Sequence, residues 1–280
     1  MFNHVNICVF YNCINVISIF LLIALEYVML PIERRQKILD CVKLRGAVSI
    51  NDLVNILAVS HMTVRRDLEK LEHEGLVVSV SGGVQISKKL STEPSRIAKA
   101  EMAAVEKERI GRYATTIIPE GACIYLDAGT TSLALAHFLT NREDLTIVTN
   151  DFAVLNFLSD NGMNNVIHTG GQLRPQNMSA VGLLAARNIE SLNFDIAFLS
   201  ASSWDYRGIT TPDVDKVIVK QAAVKSARRK VLICDSSKYS QVATYVAVKL
   251  SELDMMITDS ALPDNAREIL QSNHIEVKLV

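Results

Sequence analysis

Ser60-His61-Met62-Thr63-Val64-Arg65-Arg66-Asp67-Leu68-Glu69-Lys70 reads as a helix with two different faces. At 100° per residue, Val64, Leu68 and Leu71 share a narrow apolar stripe. Met62, Arg66, Glu69 and His73 fall opposite it, with Thr63 and Arg65 at the margins. Ser60 is placed to cap the helix through its hydroxyl. Such a helix buries one stripe and offers two arginines, a threonine and a methionine from its first turns. That suits the major groove of double-stranded DNA, where Arg pairs with guanine edges and methyl groups touch thymine. Ser60, His61, Met62, Thr63, Arg65 and Arg66 are the candidate DNA contacts, and Lys88 is a candidate phosphate contact.

The flanking sequence completes a motif. Pro31 to Arg45 carries Ile32, Ile38, Leu39 and Val42 at helical spacing and stops at Gly46. Ser49 caps a short helix with Ile50, Leu53, Val54 and Leu57 inward, and Ala58-Val59 turns tightly into the Ser60 helix. After Gly75, the β-rich runs Leu76–Val78 and Val84–Ile86 flank Ser81-Gly82-Gly83, which predicts a hairpin wing. A generic helix pair with solvated arginines is the competing reading, and Arg65-Arg66 alone would not exclude it. Three helices, a hairpin and the charge placement together predict a winged helix-turn-helix over residues 31–86.

Arg34-Arg35-Gln36-Lys37-Ile38-Leu39, Val64-Arg65-Arg66-Asp67-Leu68 and Gly82-Gly83 resemble the DNA-binding domain of the DeoR-type bacterial sugar-catabolism repressors. The resemblance runs from Met29 nearly to Val280. Residues 31–90 hold ten Lys/Arg against seven Asp/Glu, a net of +3, and residues 91–280 hold nineteen against twenty-two, a net of −3. An excess of +3 is small for holding phosphates, so a homo-oligomer presenting several copies is expected.

The first 28 residues fall outside that resemblance. They are nearly all apolar, and Lys or Arg first occurs at Arg34. A secretory signal wants a positive start, which is missing. The expectation is a start assigned too early, with the chain beginning near Met29; a membrane anchor held by Arg34-Arg35-Lys37 is the alternative. Cysteines 8, 13, 41, 123 and 234 form no C-x-x-C pair or metal spacing. Reduced thiols in a cytoplasmic protein are expected, with neither metal nor cofactor. Cys41, Cys123 and Cys234 read as core residues.

Residues 87–94 are polar, interrupted by Pro94, and read as a linker. Ser95 to Ile118 then predicts one helix, with Ala98, Met102, Val105, Ile110 and Ala114 inward. Over residues 95–280 short apolar runs alternate with amphipathic helices. The strand candidates are 123–126, 145–149, 166–168, 196–199, 231–234, 255–258 and 275–279. Helices are expected at 132–139, 152–158, 183–189, 214–227 and 264–271. The alternation predicts an α/β fold with a parallel, Rossmann-like sheet, whose ligand sits outside the carboxyl ends of the strands.

Polar residues cluster at those ends. Asp127-Ala128-Gly129-Thr130-Thr131-Ser132 opens a helix and could cradle a phosphate on free N–H groups. Thr149-Asn150, Thr169-Gly170-Gly171 with Arg174, Ala201-Ser202-Ser203, and Asp235-Ser236-Ser237-Lys238 close four further strands. Each alone reads equally well as a helix cap; five together point to a ligand.

The rear half is similar to the effector domain of the same family, which resembles ribose-5-phosphate isomerase. The residues that carry this are Asp127 to Thr131, Asn150, Gly170-Gly171, Gly208 to Pro212, Lys220 and Asp235 to Lys238. The resemblance implies a phosphorylated sugar or sugar acid, its phosphate on Gly129–Thr131 with Lys220 and Lys238 nearby. Lys216 departs from the family, where many members carry an acidic residue, and its cation favours a more acidic effector. His168 reads as a satisfied core histidine and Trp204 as a lid or interface residue. A repressor released by its effector is the expected function. An isomerase- or deaminase-like enzyme with a DNA-binding appendage is the alternative, with Asp127, Asp213 and Asp235 available as bases and none singled out. No catalytic residue is therefore assigned.

Overall fold

Pro31 in the first turn and Gly46 (φ +77°) just beyond the last bracket helix α1 (Pro31–Arg45). The computed structural model describes Met29 to Val280 except Ser81. The expectations for residues 1–28 lie outside the described residues. Beyond α1 come β1 (Ala47–Ser49), α2 (Ile50–Leu57), α3 (His61–His73), β2 (Val77–Val80) and β3 (Gly83–Ile86). Ser49 Oγ accepts the Asp52 N–H, and Ala58 turns the chain at φ 52°. Val64, Leu68 and Leu71 are buried against Ile38, Val42, Leu53 and Leu57. The wing gains an unexpected third strand, in the order β1-β3-β2. Gly83 permits it, because a Cβ there would stand 2.6 Å from the Val48 carbonyl oxygen.

The chain continues through β4 (Lys88–Leu90), α4 (Arg96–Glu101), α5 (Ala104–Thr115), β5 (Cys123–Leu126), α6 (Thr130–Ala136), β6 (Thr146–Thr149), α7 (Phe152–Asn161) and β7 (Asn165–His168). Next are β8 (Gln172–Arg174), β9 (Ser179–Val181), α8 (Leu183–Glu190), β10 (Phe194–Leu199), β11 (Ser203–Asp205), β12 (Gly208–Thr211) and α9 (Val214–Lys225). β13 (Ala227–Ile233), β14 (Gln241–Ala243), β15 (Tyr245–Lys249), β16 (Met255–Thr258), α10 (Asp264–Ser272) and β17 (Glu276–Leu279) complete it.

The seven expected strands are the seven of one parallel sheet, ordered β17-β16-β13-β10-β5-β6-β7. Alternate residues enter opposite faces. Ile124 and Leu126 pack with Ile110, Leu135 and Val154 of α5, α6 and α7. Tyr125 faces the layer of α8, α9 and α10 with Ala185, Ala222 and Leu270. Strand order reverses between β5 and β10, so the crevice of a doubly wound sheet opens at their carboxyl ends.

Three expectations change. The linker is not wholly irregular, because β4 pairs in parallel with β14. The helix over 95–118 is two: α4 ends at Met102, and Ala103 takes φ 50°. Lys107 explains the break, since its buried ammonium donates to the carbonyls of Lys99 and Met102. Ile110 and Ala114 are buried as expected, whereas Ala98, Met102 and Val105 are exposed. Trp204 is a core residue rather than a lid, fully buried and 4.8 Å from the Tyr239 ring. Pairing of β11 with β12 turns it inward. Cys234 is buried and Cys41 and Cys123 half-buried, all free thiols. No helix among the described residues is long and apolar enough to cross a membrane.

Candidate functional site

The first turns of α3 are largely exposed, with Arg65 bordering a cleft that Asp264, Asn265 and Glu268 of the sensor half also line. Ser60 Oγ accepts the Thr63 N–H at 3.2 Å and meets Thr63 Oγ1 at 2.9 Å. His61, Met62, Arg65 and Arg66 are exposed and Thr63 is half-buried. Asp67 was not singled out from the sequence. It is buried on the inner side, where it takes the Arg34 guanidinium, with Arg35 at 3.8 Å. Two of the motif arginines therefore fasten α1 to α3. Lys88 has its backbone in β4, on the sensor side of the wing; the expectation for its side chain lies outside the described residues.

The second site lies where β5 and β10 end. Asp127 Oδ2 accepts the Ser200 N–H at 3.0 Å, the Ser200 hydroxyl at 3.2 Å and the Lys220 ammonium. Lys220 Nζ also donates to the Ser200 carbonyl at 2.6 Å. Asn150, from the end of β6, accepts the Tyr125 hydroxyl and the Ala128 N–H, each at 2.9 Å. Gly129 lies against Ser200, whose Oγ would stand 2.7 Å from a Cβ at that position. Asp127, Ala128, Asn150, Ser200 and Lys220 line a small cavity with Lys216, Ser179, Ser202 and Glu93. Ser179 is fully buried, and its hydroxyl has no hydrogen-bond partner among the described residues.

Other expected contacts are placed elsewhere. Arg174 is not a free fork: its Nε donates to Asp213 at 2.9 Å and its Nη2 to Asp215. Lys238 is buried 3.8 Å from Asp235 and does not line the cavity. The Gly129 N–H is taken by Asp151 at 2.9 Å. Thr130 opens α6 without a side-chain cap, and Thr131 is buried within its first turn. Gly170 and Gly171 (φ +62° and +118°) serve the turn that leads into the β8–β9 hairpin, and they lie outside the cavity wall. His168 Nδ1 accepts the Gly170 N–H at 3.1 Å, and its buried Nε2 makes no well-formed hydrogen bond among the described residues, with the Asn150 backbone nearby. Burial pushes its pKa below the usual value.

Glu93, absent from the expected site, is its most heavily bonded acid. Burial pushes its carboxyl up, yet the charges of Lys216 and Lys99 outweigh this and hold it at about 2. The Lys216 charge lowers it more than that of Lys99, and Lys99 is itself pushed down by burial despite Glu93. The odd lysine at 216 was visible in the sequence, whereas its partner, 123 residues away, was not.

Residues 34–89 match the model of the DeoR-like helix-turn-helix domain, and residues 102–260 match that of the DeoR C-terminal sensor domain. The chain belongs to the DeoR family. Its relatives are regulators of transcription, and the enzyme alternative falls away. The HTH-type transcriptional regulator YgbI of Escherichia coli is 51% identical, over 86% of this chain and 95% of that one. The glycerol-3-phosphate regulon repressor of the same species is 32% identical, over 88% and 98%. A ribose 5-phosphate isomerase from Methanocaldococcus jannaschii aligns with a TM-score of 0.35 and 16% identity, over 49% of this chain and 55% of that one.

In this DeoR-family chain the two halves touch. The Tyr206 hydroxyl donates to the His73 carbonyl at the end of α3, and the two rings stack at 5.6 Å. Asn265 Nδ2 donates to the Ser79 carbonyl at 3.1 Å and to the Tyr239 hydroxyl at 2.9 Å. Gln85 Nε2 donates to Ser240 Oγ at 3.3 Å. A cleft of about 190 Å³ lies between the halves. Its wall is largely apolar, with Val77, Val78, Val242 and Ile269 beside Glu69, Glu72, His73 and Asp205, the last paired with Arg207.

Proposed function

We propose that the chain is an oligomeric, DNA-binding repressor of a carbohydrate or sugar-acid catabolic operon, released by a phosphorylated sugar or sugar acid. The observation that carries the effector half is the polar cavity at the β5/β10 reversal. There a buried lysine pair with Asp127, a second lysine and an unpartnered Ser179 hydroxyl converge. Buried polar groups without partners are uncommon in folded proteins, and an unfilled hydroxyl suits a ligand oxygen. The phosphoryl end is assigned to Lys220 and the Ser179 hydroxyl, because the Ala128 and Gly129 N–H groups are already taken by Asn150 and Asp151. One relative is by name the repressor of the glycerol-3-phosphate regulon, which supports a phosphorylated effector class.

The DNA half rests on Ser60, His61, Met62, Thr63, Arg65 and Arg66 at the amino end of α3, all exposed but the half-buried Thr63. The opposite end meets Tyr206, only four residues beyond Ser202 of the cavity wall. Ligand-driven movement of the β10–β11 turn therefore has a short route to the recognition helix. The ligand acts only to the extent that it prefers the released arrangement.

The test uses the chain from Met29 and its own upstream DNA. Tetronate, pentose and hexose phosphates are screened for thermal stabilisation and for release of DNA in a gel. One ligand class is expected to do both. Ser179→Val, which replaces the hydroxyl with methyls, should lose both effects while holding DNA. Absence of salt-sensitive DNA retention, or release by none of the phosphates, overturns the assignment.

A further inference from the structure

The cavity at the β5/β10 reversal encloses about 20 Å³, room for about one water. A sugar phosphate enters only if a wall moves. Every lining residue but one belongs to a strand, a helix or a turn directly joined to the sheet. The exception is Glu93, on the segment 91–95, which contains neither helix nor strand. Its carboxylate gathers four donors from four parts of the fold. Oε1 accepts from Lys99 Nζ at 2.7 Å and Ser202 Oγ at 2.6 Å. Oε2 accepts from Asn177 Nδ2 at 3.0 Å and from the Lys216 ammonium. Side-chain exposure is only 9% for Glu93 and 12% for each lysine.

This is a complete carboxylate-binding set, filled from within by a residue on an irregular strap of chain. Removing that carboxylate without a substitute leaves two poorly hydrated ammonium groups with no counter-charge. A ligand whose second end is a neutral hydroxyl or carbonyl cannot take its place; a ligand carboxylate can. Resting on the effector reading above, we propose that Glu93 is a tethered stand-in for a carboxylate of the effector. The effector is thus a sugar-acid phosphate, whose carboxylate takes over Lys216, Lys99 and Ser202 and frees the strap. The tether gives Glu93 a high effective concentration, so ligands with one anionic group are screened out. The strap joins β4, beside the wing, to α4, so its release loosens the connection between the DNA-reading and sensing halves.

The test begins with chemical rescue in the full chain. Glu93→Ala should lower the melting temperature, and formate or acetate should restore it saturably, whereas chloride at equal ionic strength should not. Wild type and the isosteric Glu93→Gln, which leave no hole, should show no such response. Adding Lys216→Met to Glu93→Ala should abolish the rescue. If Glu93→Ala folds only when acetate is present during refolding, that too is the expected rescue. A response to acetate no greater than to chloride overturns the proposal. Separately, aldonate phosphates of four, five and six carbons are compared with the matching aldose phosphates on wild type. The favoured aldonate phosphate should bind at least tenfold more tightly than its aldose partner and raise hydrogen exchange across residues 91–95. Equal binding, or an unchanged strap, overturns it. Rescue by acetate with no phosphate bound sinks the phosphorylated-effector reading but keeps the carboxylate subsite. Phosphate binding without rescue does the reverse.

Discussion

Lys220 and Asp127 show why a single residue can hold the site together. Their side chains are 8% and 3% exposed, and each ion is paid for chiefly by the other. Lys220→Met leaves a buried carboxylate facing only the Ser200 donors and should cost about 3–5 kcal/mol in denaturant unfolding; a loss below about 1 kcal/mol would mean that water reaches the pair. Arg66 is exposed with no ion pair among the described residues. Arg66→Ala should cost roughly 1–3 kcal/mol of operator preference per half-site if it reads a base. Equal loss on all DNA would make it a phosphate contact. Glu93 yields a pH prediction. Its ordinary value is 4.5 and the folded protein holds it at about 2, so its contribution is complete above pH 4.5 and fades as pH falls toward 2. At neutral pH that is at most about 3 kcal/mol, reduced by the cost of burying Lys99. The stability gap between wild type and Glu93→Gln should close over that acid range, and a gap that stays constant would refute the pairing.

At the scale of elements, the helix-turn-helix rests on local capping and turn chemistry. Ser60→Ala removes the α3 cap and should destabilise the domain by about 1 kcal/mol. Ala58 holds φ 52°, a conformation that is unfavourable for a residue with a Cβ. Ala58→Gly should therefore raise stability by about 0.5–1 kcal/mol, against the usual penalty for glycine near a helix. Thermal unfolding of both variants checks these signs. The α4–α5 break follows another logic. Apolar spacing from Ala98 to Ala114 runs on as though one helix continued. The long side chain of Lys107, folding back on the carbonyls of Lys99 and Met102, ends the first piece. Periodicity does not register such a contact, because lysine reads as a solvated residue.

For the whole molecule, the joint between the halves is slender. Tyr206 on His73, Asn265 on Ser79 and Gln85 on Ser240 are a few hydrogen bonds around a largely apolar cleft, beside the packing of Val78 into the sensor core and the pairing of β4 with β14. Tyr206→Phe removes one bond at the end of α3. Ligand affinity should stay within about twofold, while the factor by which ligand weakens DNA binding should shrink, since coupling and affinity are separate free energies. Titrating ligand with and without DNA measures both. A coupling factor equal to that of wild type would show that the signal travels by the strap or another route.

The seven sheet strands, the winged helix-turn-helix and the polar strand ends were legible in the linear chain, because hydrophobic periodicity and capping chemistry are local properties. Asp127 and Asn150 could be named from those ends, and Lys220, in mid-helix, only from the resemblance to the family's effector domain. Glu93, Ser179 and Asp67 could not. Glu93 sits in a polar strap and Asp67 among arginines that look solvated, and both take their meaning from partners far along the chain; Ser179, in a three-residue strand, takes its meaning from the cavity that distant residues build around it. The same holds for Arg174, which looked free to grip an anion until the folded chain set Asp213 and Asp215 beside it. Burial and pairing of charges are decided by three-dimensional proximity, which residue order alone does not contain.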